Sequence, residues 1–170
     1  MKKLTLRLCA LLSAVLLSIM ALLAGALIVP ALLGYREMAV LSGSMEPTVP
    51  VGSIVYVRPL PGEKLAPGDI CTYCMADGET FVTHRVVSLD RQKQTLITKG
   101  DANNTADGEI AFANVYGKAM FHLPWLGLLV MGVRTPRGIL AVTGLLAAIF
   151  LLNLIPAWLE AGPQASASSQ

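Results

Sequence analysis

GSIVYVRPLPGEKLAPGDICTYCMADGETFVTHRVV, residues 52–87, is the stretch that decides the architecture. Branched and aromatic residues come in short runs: Gly52 to Val57, Asp69 to Cys74 and Thr80 to Val87. Between them stand Pro59, Pro61-Gly62, Pro67-Gly68 and Asp77-Gly78. Cβ-branched and aromatic side chains fit a pleated, half-buried surface, whereas Gly, Pro and Asp supply the backbone angles of turns. The alternation continues through a turn at Asp90-Arg91-Gln92, a run Thr95 to Thr98, and a last run Val115 to Met120. Runs of this length, broken every ten or so positions, predict an antiparallel sheet or a small barrel. No internal repeat is visible.

Outward from this core the composition changes sharply. The 170 residues are 54% hydrophobic and only 14% charged, against about 25% charged in ordinary soluble domains. The deficit lies at the ends, for there is no charge from Leu8 to Leu33 or from Gly138 to Trp158. As a helix the first run is about 39 Å long, enough to cross a hydrocarbon core of roughly 30 Å with some tilt. Lys2, Lys3 and Arg7 precede it and place the N-terminus in the cytoplasm. Ala24-Gly25-Ala26 resembles the cleavage site of a secretory leader, but Leu27 to Leu33 carry the apolar run beyond it, so the segment reads as a retained anchor. The second run is about one bilayer long, with Trp158 placed as an interfacial aromatic. Arg134 and Arg137 lie on its outer side, against the charge rule, yet the first span usually sets orientation. The organisation read from the chain is therefore an N-terminus and anchor over 1–33, an outer domain over 34–137, a second span over 138–158 and a cytoplasmic tail over 159–170. The stretch from Glu160 to Gln170 is rich in Ala, Ser and Gln and reads as disordered. A net charge of +2, with the excess cations beside the apolar runs, gives no basis for a nucleic-acid partner.

Leu123 to Val133, LPWLGLLVMGV, is apolar but too short to span, and reads as a surface resting on the bilayer. Cys71 and Cys74 form a C-x-x-C without a second pair or a His cluster to complete a metal site. Three apart on a strand they point to opposite faces, so they read as unpaired packing residues, as does Cys9 in the first span.

Chemistry points to Ser42-Gly43-Ser44-Met45-Glu46-Pro47, just beyond the first span. Acyl transfer needs a hydroxyl, a base and donors for the oxyanion. Ser44 supplies the first, and its own N–H with the Ser42 hydroxyl supplies the last, while Gly43 lets the backbone approach closely. There are two histidines. His84 lies inside a strand-like run, whereas His122 borders the apolar stretch and reads as packing. Lys99 to Asp107 is a Gly- and Asn-rich loop carrying two carboxylates, Asp101 and Asp107. Ser44, His84 and Asp107 in that order make a nucleophile, base and orienting acid, with Asp101 open as the alternative acid.

SGSMEP after an N-terminal span, then Gly68-Asp69-Ile70, then THRVV, then TKGDANNTAD closely resemble type I signal peptidase. The branch resembled is the one shared by the endoplasmic-reticulum catalytic subunit, archaeal enzymes and the SipW-type enzymes of Gram-positive spore formers. The resemblance covers roughly Leu8 to Val133. It implies a mainly β catalytic domain of the signal-peptidase and LexA-like fold, with transmembrane helices at both ends of this chain. It also implies Ser44 as nucleophile, His84 as base where the commoner bacterial branch has lysine, Asp107 as triad acid with Asp101 beside it, and Ser42 at the oxyanion. The implied activity is removal of N-terminal signal peptides from exported preproteins at small-x-small (Ala-x-Ala) sites, by a serine endopeptidase working in the cell membrane. The catalytic domain would lie outside, with no metal or organic cofactor, and with the lipid bilayer and the secretion translocon as further partners. The contrasting expectation is an inactive peptidase-like membrane scaffold that binds exported proteins.

Overall fold

Residues 2–161 are described by the computed structural model, excluding the side chains of residues 2, 3 and 155–161. Two compact units divide the chain, one of residues 27–131 and one of residues 1–26 with 132–170.

The first unit is built on a seven-stranded sheet in which every pairing is antiparallel. Its strands are β1 (Arg36–Ala39), β2 (Ile54–Pro59), β3 (Ile70–Cys74), β4 (Phe81–Asp90), β5 (Thr95–Lys99), β6 (Glu109–Ala111) and β7 (Val115–Leu123). The order across the sheet is β1-β2-β7-β3-β4-β5-β6. The last strand thus inserts between the second and third. All five strand-like runs of the sequence are strands, while β1 and β6 are additions that no local pattern announced.

Apolar residues on these strands form two clusters. Leu65, Cys71, Tyr73, Val86, Leu96, Ile110 and Phe112 make one, and Met45, Val49, Val55 and Val57 make the other. Ile54 to Val57 are buried on both faces, and Tyr56 stacks on Phe121 with ring centres 4.5 Å apart. Burying one Val, Leu or Phe side chain is worth about 1.5–3 kcal/mol, and these two clusters hold the frame under the site.

The apolar stretch Leu123 to Val133 divides between two elements. Leu123 closes β7, and a helix α2 runs over Leu126–Val133. Leu126 and Gly127 are buried, whereas Trp125, Leu128 and Leu129 are exposed. The Leu128 N–H donates to Gly52 O at 3.2 Å, which fixes the helix to the turn before β2.

The second unit holds most of helix α1 (Lys2–Leu32) and helix α3 (Pro136–Ala161). Both are long and apolar enough to cross a membrane, over Leu4–Leu32 and Pro136–Leu154. Ser13 Oγ lies 3.5 Å from Asn153 Oδ1. α3 continues to Ala161, so the first residues expected in a disordered tail are helical. Residues 162–170 and the side chain of Trp158 lie outside the described residues.

Candidate active site

Ser44 sits in a tight loop, 42–49, between β1 and β2. The loop is pinned from within: Met45 and Val49 are each 2% exposed and pack with Val55 and Val57. Backbone bonds close it, from Glu46 N–H to Gly43 O at 3.0 Å and from Val49 N–H to Met45 O at 2.8 Å. The polar residues between these anchors are left facing out. The Ser44 N–H has no acceptor among the described residues. The Ser42 and Ser44 hydroxyl oxygens are 3.4 Å apart.

A second loop, 100–108, presses on Ser44. The Ala102 N–H donates to Ser44 O at 2.9 Å. Gly100 is packed so closely that a Cβ there would lie 2.6 Å from Ser44 O and 2.8 Å from Asn103 Nδ2. Only glycine fits this approach, which explains Gly100 in the Lys99-Gly100-Asp101 run.

His84 lies in β4, opposite Cys71 of β3, and is 7% exposed. Its Nε2 is 3.0 Å from Ser44 Oγ, and its Nδ1 is 2.6 Å from Asp107 Oδ2. A carboxylate accepts only, so Nδ1 carries the proton and Nε2 turns its lone pair to the Ser44 hydroxyl. The Asp107 N–H donates to Thr98 O at 2.8 Å, tying the loop end back to β5.

Asp101 is engaged elsewhere. Arg85 Nε donates to its Oδ1 at 2.8 Å and Arg85 Nη2 to its Oδ2 at 2.6 Å, while the Thr48 hydroxyl donates to Oδ2 at 2.5 Å. Arg85 also donates to Gly68 O at 2.9 Å. The Arg85 guanidinium holds the Asp101 carboxyl below the usual carboxylate range, with the Thr48 hydroxyl helping. Asp101 therefore links Thr48, four residues after Ser44, to Arg85, the neighbour of His84. Of the two acids left open by the sequence, Asp107 meets the imidazole and Asp101 the guanidinium.

The other histidine, His122, is on β7 opposite Val55 and half-buried. Cys71 and Cys74 are free, the first buried and the second half-buried, as strand alternation requires. Burial, reinforced by the charge of Asp69, pushes the Cys71 thiol up to about 12. Among the described residues there is no group of three or more His, Cys, Asp or Glu placed to hold a metal ion. Thr48, Tyr73, Arg85 and Thr98 touch the acids without having been singled out, for a Thr or Tyr in a strand run looks like any other sheet residue. Beside Ser44 and His84 opens a cavity of about 450 Å³ lined by residues 39–42 and 80–84 and by Met45.

Over 81 residues the chain is 46% identical to signal peptidase I W of Bacillus subtilis, covering 46% of this chain and 42% of that protein. Over 125 residues it is 34% identical to the signal peptidase complex catalytic subunit SEC11 of Candida dubliniensis, covering 64% of this chain and 74% of that one. The chain belongs to the signal peptidase family. A more distant relative is the complex's catalytic subunit SEC11C of Rattus norvegicus, 26% identical over 128 residues, or 68% of this chain and 67% of the relative. The chain thus spans less than half the length of the Bacillus protein and about three quarters of the yeast one. No protein-family model matches it. Two of its helices are long and apolar enough to cross a membrane.

Proposed function

We propose that the chain is a serine endopeptidase that removes signal peptides from exported preproteins. The observation that carries this is the hydrogen-bonded line from Ser44 Oγ through both nitrogens of His84 to Asp107, at 3.0 and 2.6 Å, beside an open cavity. Nothing in the site favours an inactive scaffold, since hydroxyl, base and acid are all in hydrogen-bond contact.

In this reading Ser44 Oγ attacks the carbonyl carbon at the end of the leader while His84 Nε2 takes its proton. The new C–O bond pushes the carbonyl pair onto oxygen, where the Ser44 N–H and the Ser42 hydroxyl donate to it; one such donor is worth about 10²–10³ in rate. Collapse breaks the C–N bond, and His84 returns the proton to the leaving amine, which becomes the new N-terminus. A water that gives its proton to His84 then hydrolyses the ester and restores Ser44. Asp107 stays ionised throughout and balances the imidazolium. These steps close without a metal or an organic cofactor.

Ala39 to Ser42 on one side and Thr80 to His84 on the other form the cavity walls. An extended peptide laid between them would offer alternate side chains to Val40, Met45 and Val82, which suits small residues at the cut and two before it, as in Ala-x-Ala. Lys2, Lys3 and Arg7 before α1 support a cytoplasmic N-terminus, two crossings by α1 and α3, and residues 34–137 outside. Exposed Trp125, Leu128 and Leu129 would then rest on the bilayer.

The test is incubation of the detergent-solubilised protein with a preprotein carrying an Ala-x-Ala leader, alongside Ser44→Ala. The mature N-terminus, read by mass spectrometry, should appear with the wild type alone. Equal cleavage by both proteins, or by neither, contradicts the proposal.

A further inference from the structure

Asp107 stands at the end of a loop, and its side chain is 23% exposed, so water competes for its oxygens. Further donors on the same carboxylate restrict the directions in which it can turn. Two hydroxyls converge on the very oxygen that faces His84: Thr98 Oγ1 donates to Asp107 Oδ2 at 2.5 Å and Tyr73 Oη at 3.4 Å. Thr98 is fully buried and Tyr73 is buried beside it. Neither residue lines the cavity.

The strand register explains how they meet. Tyr73 lies opposite Val82, and Thr98 lies opposite Val86. Val82 and Val86 are two residues before and two after His84, so all three share one face of β4. Tyr73, His84 and Thr98 thus form a diagonal across β3, β4 and β5, with Asp107 lying over it. Burial pushes the Tyr73 phenol above its ordinary value, which keeps it a donor at any working pH.

Resting on the proposed Ser44–His84–Asp107 chemistry, we infer that Thr98 and Tyr73 are positioning residues whose hydroxyls hold Asp107 Oδ2 aimed at His84 Nδ1. Thr98, at the shorter distance and completely buried, carries the larger part. Neither reaches the substrate; both act through the acid.

The experiment measures kcat and KM for preprotein cleavage, with melting temperatures, for Thr98→Val, Thr98→Ser, Tyr73→Phe and Ser44→Ala. Loss of a hydrogen bond to a charged group should lower kcat about tenfold or more in Thr98→Val. KM should stay within about twofold, because ground-state binding is untouched. Thr98→Ser, which keeps the hydroxyl, should regain most of the rate, and Tyr73→Phe should lose a smaller factor in the same sense. Wild-type kcat in Thr98→Val, or a loss that Thr98→Ser shares in full, overturns the inference. If Thr98→Val does not fold, Tyr73→Phe decides: a lowered kcat at constant KM supports the inference, and wild-type kcat overturns it. Cleavage by Ser44→Ala would sink the underlying chemistry, whereas an inactive Ser44→Ala with a silent Thr98→Val sinks this inference alone.

Discussion

Asp107→Asn and Asp101→Asn remove one charge each, from two carboxylates in the same loop, and the structure expects very different losses. Asp107 Oδ2 receives the His84 Nδ1 proton at 2.6 Å. An asparagine there presents either NH₂ or C=O to Nδ1. With NH₂ inward, the imidazole must carry its proton on Nε2 and can no longer accept one from Ser44. With C=O inward, the tautomer survives but the negative charge opposite the imidazolium is gone. In serine-protease triads this substitution costs about 10⁴ in kcat, or about 5.5 kcal/mol of barrier. Asp101→Asn leaves both His84 bonds in place and weakens the links to Arg85 and Thr48. Ser44 O would still be held by the Ala102 N–H. Because the Arg85 side chain is 36% exposed, the ion pair is partly screened and worth about 1 kcal/mol; even if all of it bore on the barrier, the rate should fall by no more than about fivefold. Single-turnover cleavage of a preprotein, with melting curves to show both variants folded, separates the two. A severe loss in Asp101→Asn with a nearly silent Asp107→Asn would refute this reasoning and move the orienting role to Asp101.

The pH dependence of stability isolates the same clamp. Asp101 has its folded pKa depressed, so its contribution is present above the unfolded carboxylate value, about 4, and is lost as pH falls through the folded value. The gap in melting temperature between wild type and Asp101→Asn should be full at pH 7 and close in acid; an unchanged gap at low pH would contradict the ion pair. Gly100→Ala should lower kcat at least tenfold, since the new Cβ meets Ser44 O and displacements near 1 Å cost about 10² in rate; wild-type kcat would show that the two loops are not packed as described. Cys71, with its thiol pushed up to about 12, should resist maleimide at pH 8 in the folded protein and react after denaturation, because the thiolate is the reactive form. Labelling of native Cys71 as fast as Cys74 would mean that the β3–β4 face is open.

Much of this was legible in the chain because the strand runs are long and bounded by Pro-Gly and Asp-Gly turns. Where the signal was short it failed. Arg36 to Ala39 reads as neither strand nor helix and becomes β1 only by pairing with β2; Glu109 to Ala111 becomes β6 only by pairing with β5. The insertion of β7 between β2 and β3 is long-range, and no local pattern encodes it. For the site, Ser44 and His84 stood out by motif and chain order. Asp107 read as the triad acid with Asp101 as its alternative, both in a polar loop, and what the strands place beneath them gives each a different partner. Arg85 next to His84 draws one, and His84 flanked by Thr98 and Tyr73 draws the other. Thr98 was invisible for the same reason: its role depends on a diagonal between strands, not on its neighbours in sequence.

The central claim is that Ser44 becomes covalently bound to the leader during turnover. Acid quenching of the protein within the first turnover on a preprotein, followed by proteolysis and mass spectrometry, tests it directly. The peptide containing Ser44 should carry the leader, esterified through the leader's terminal carboxyl, and no such ester should form in His84→Ala. Cleavage at the wild-type rate by Ser44→Ala, with no ester formed at any time in the wild type, would contradict it.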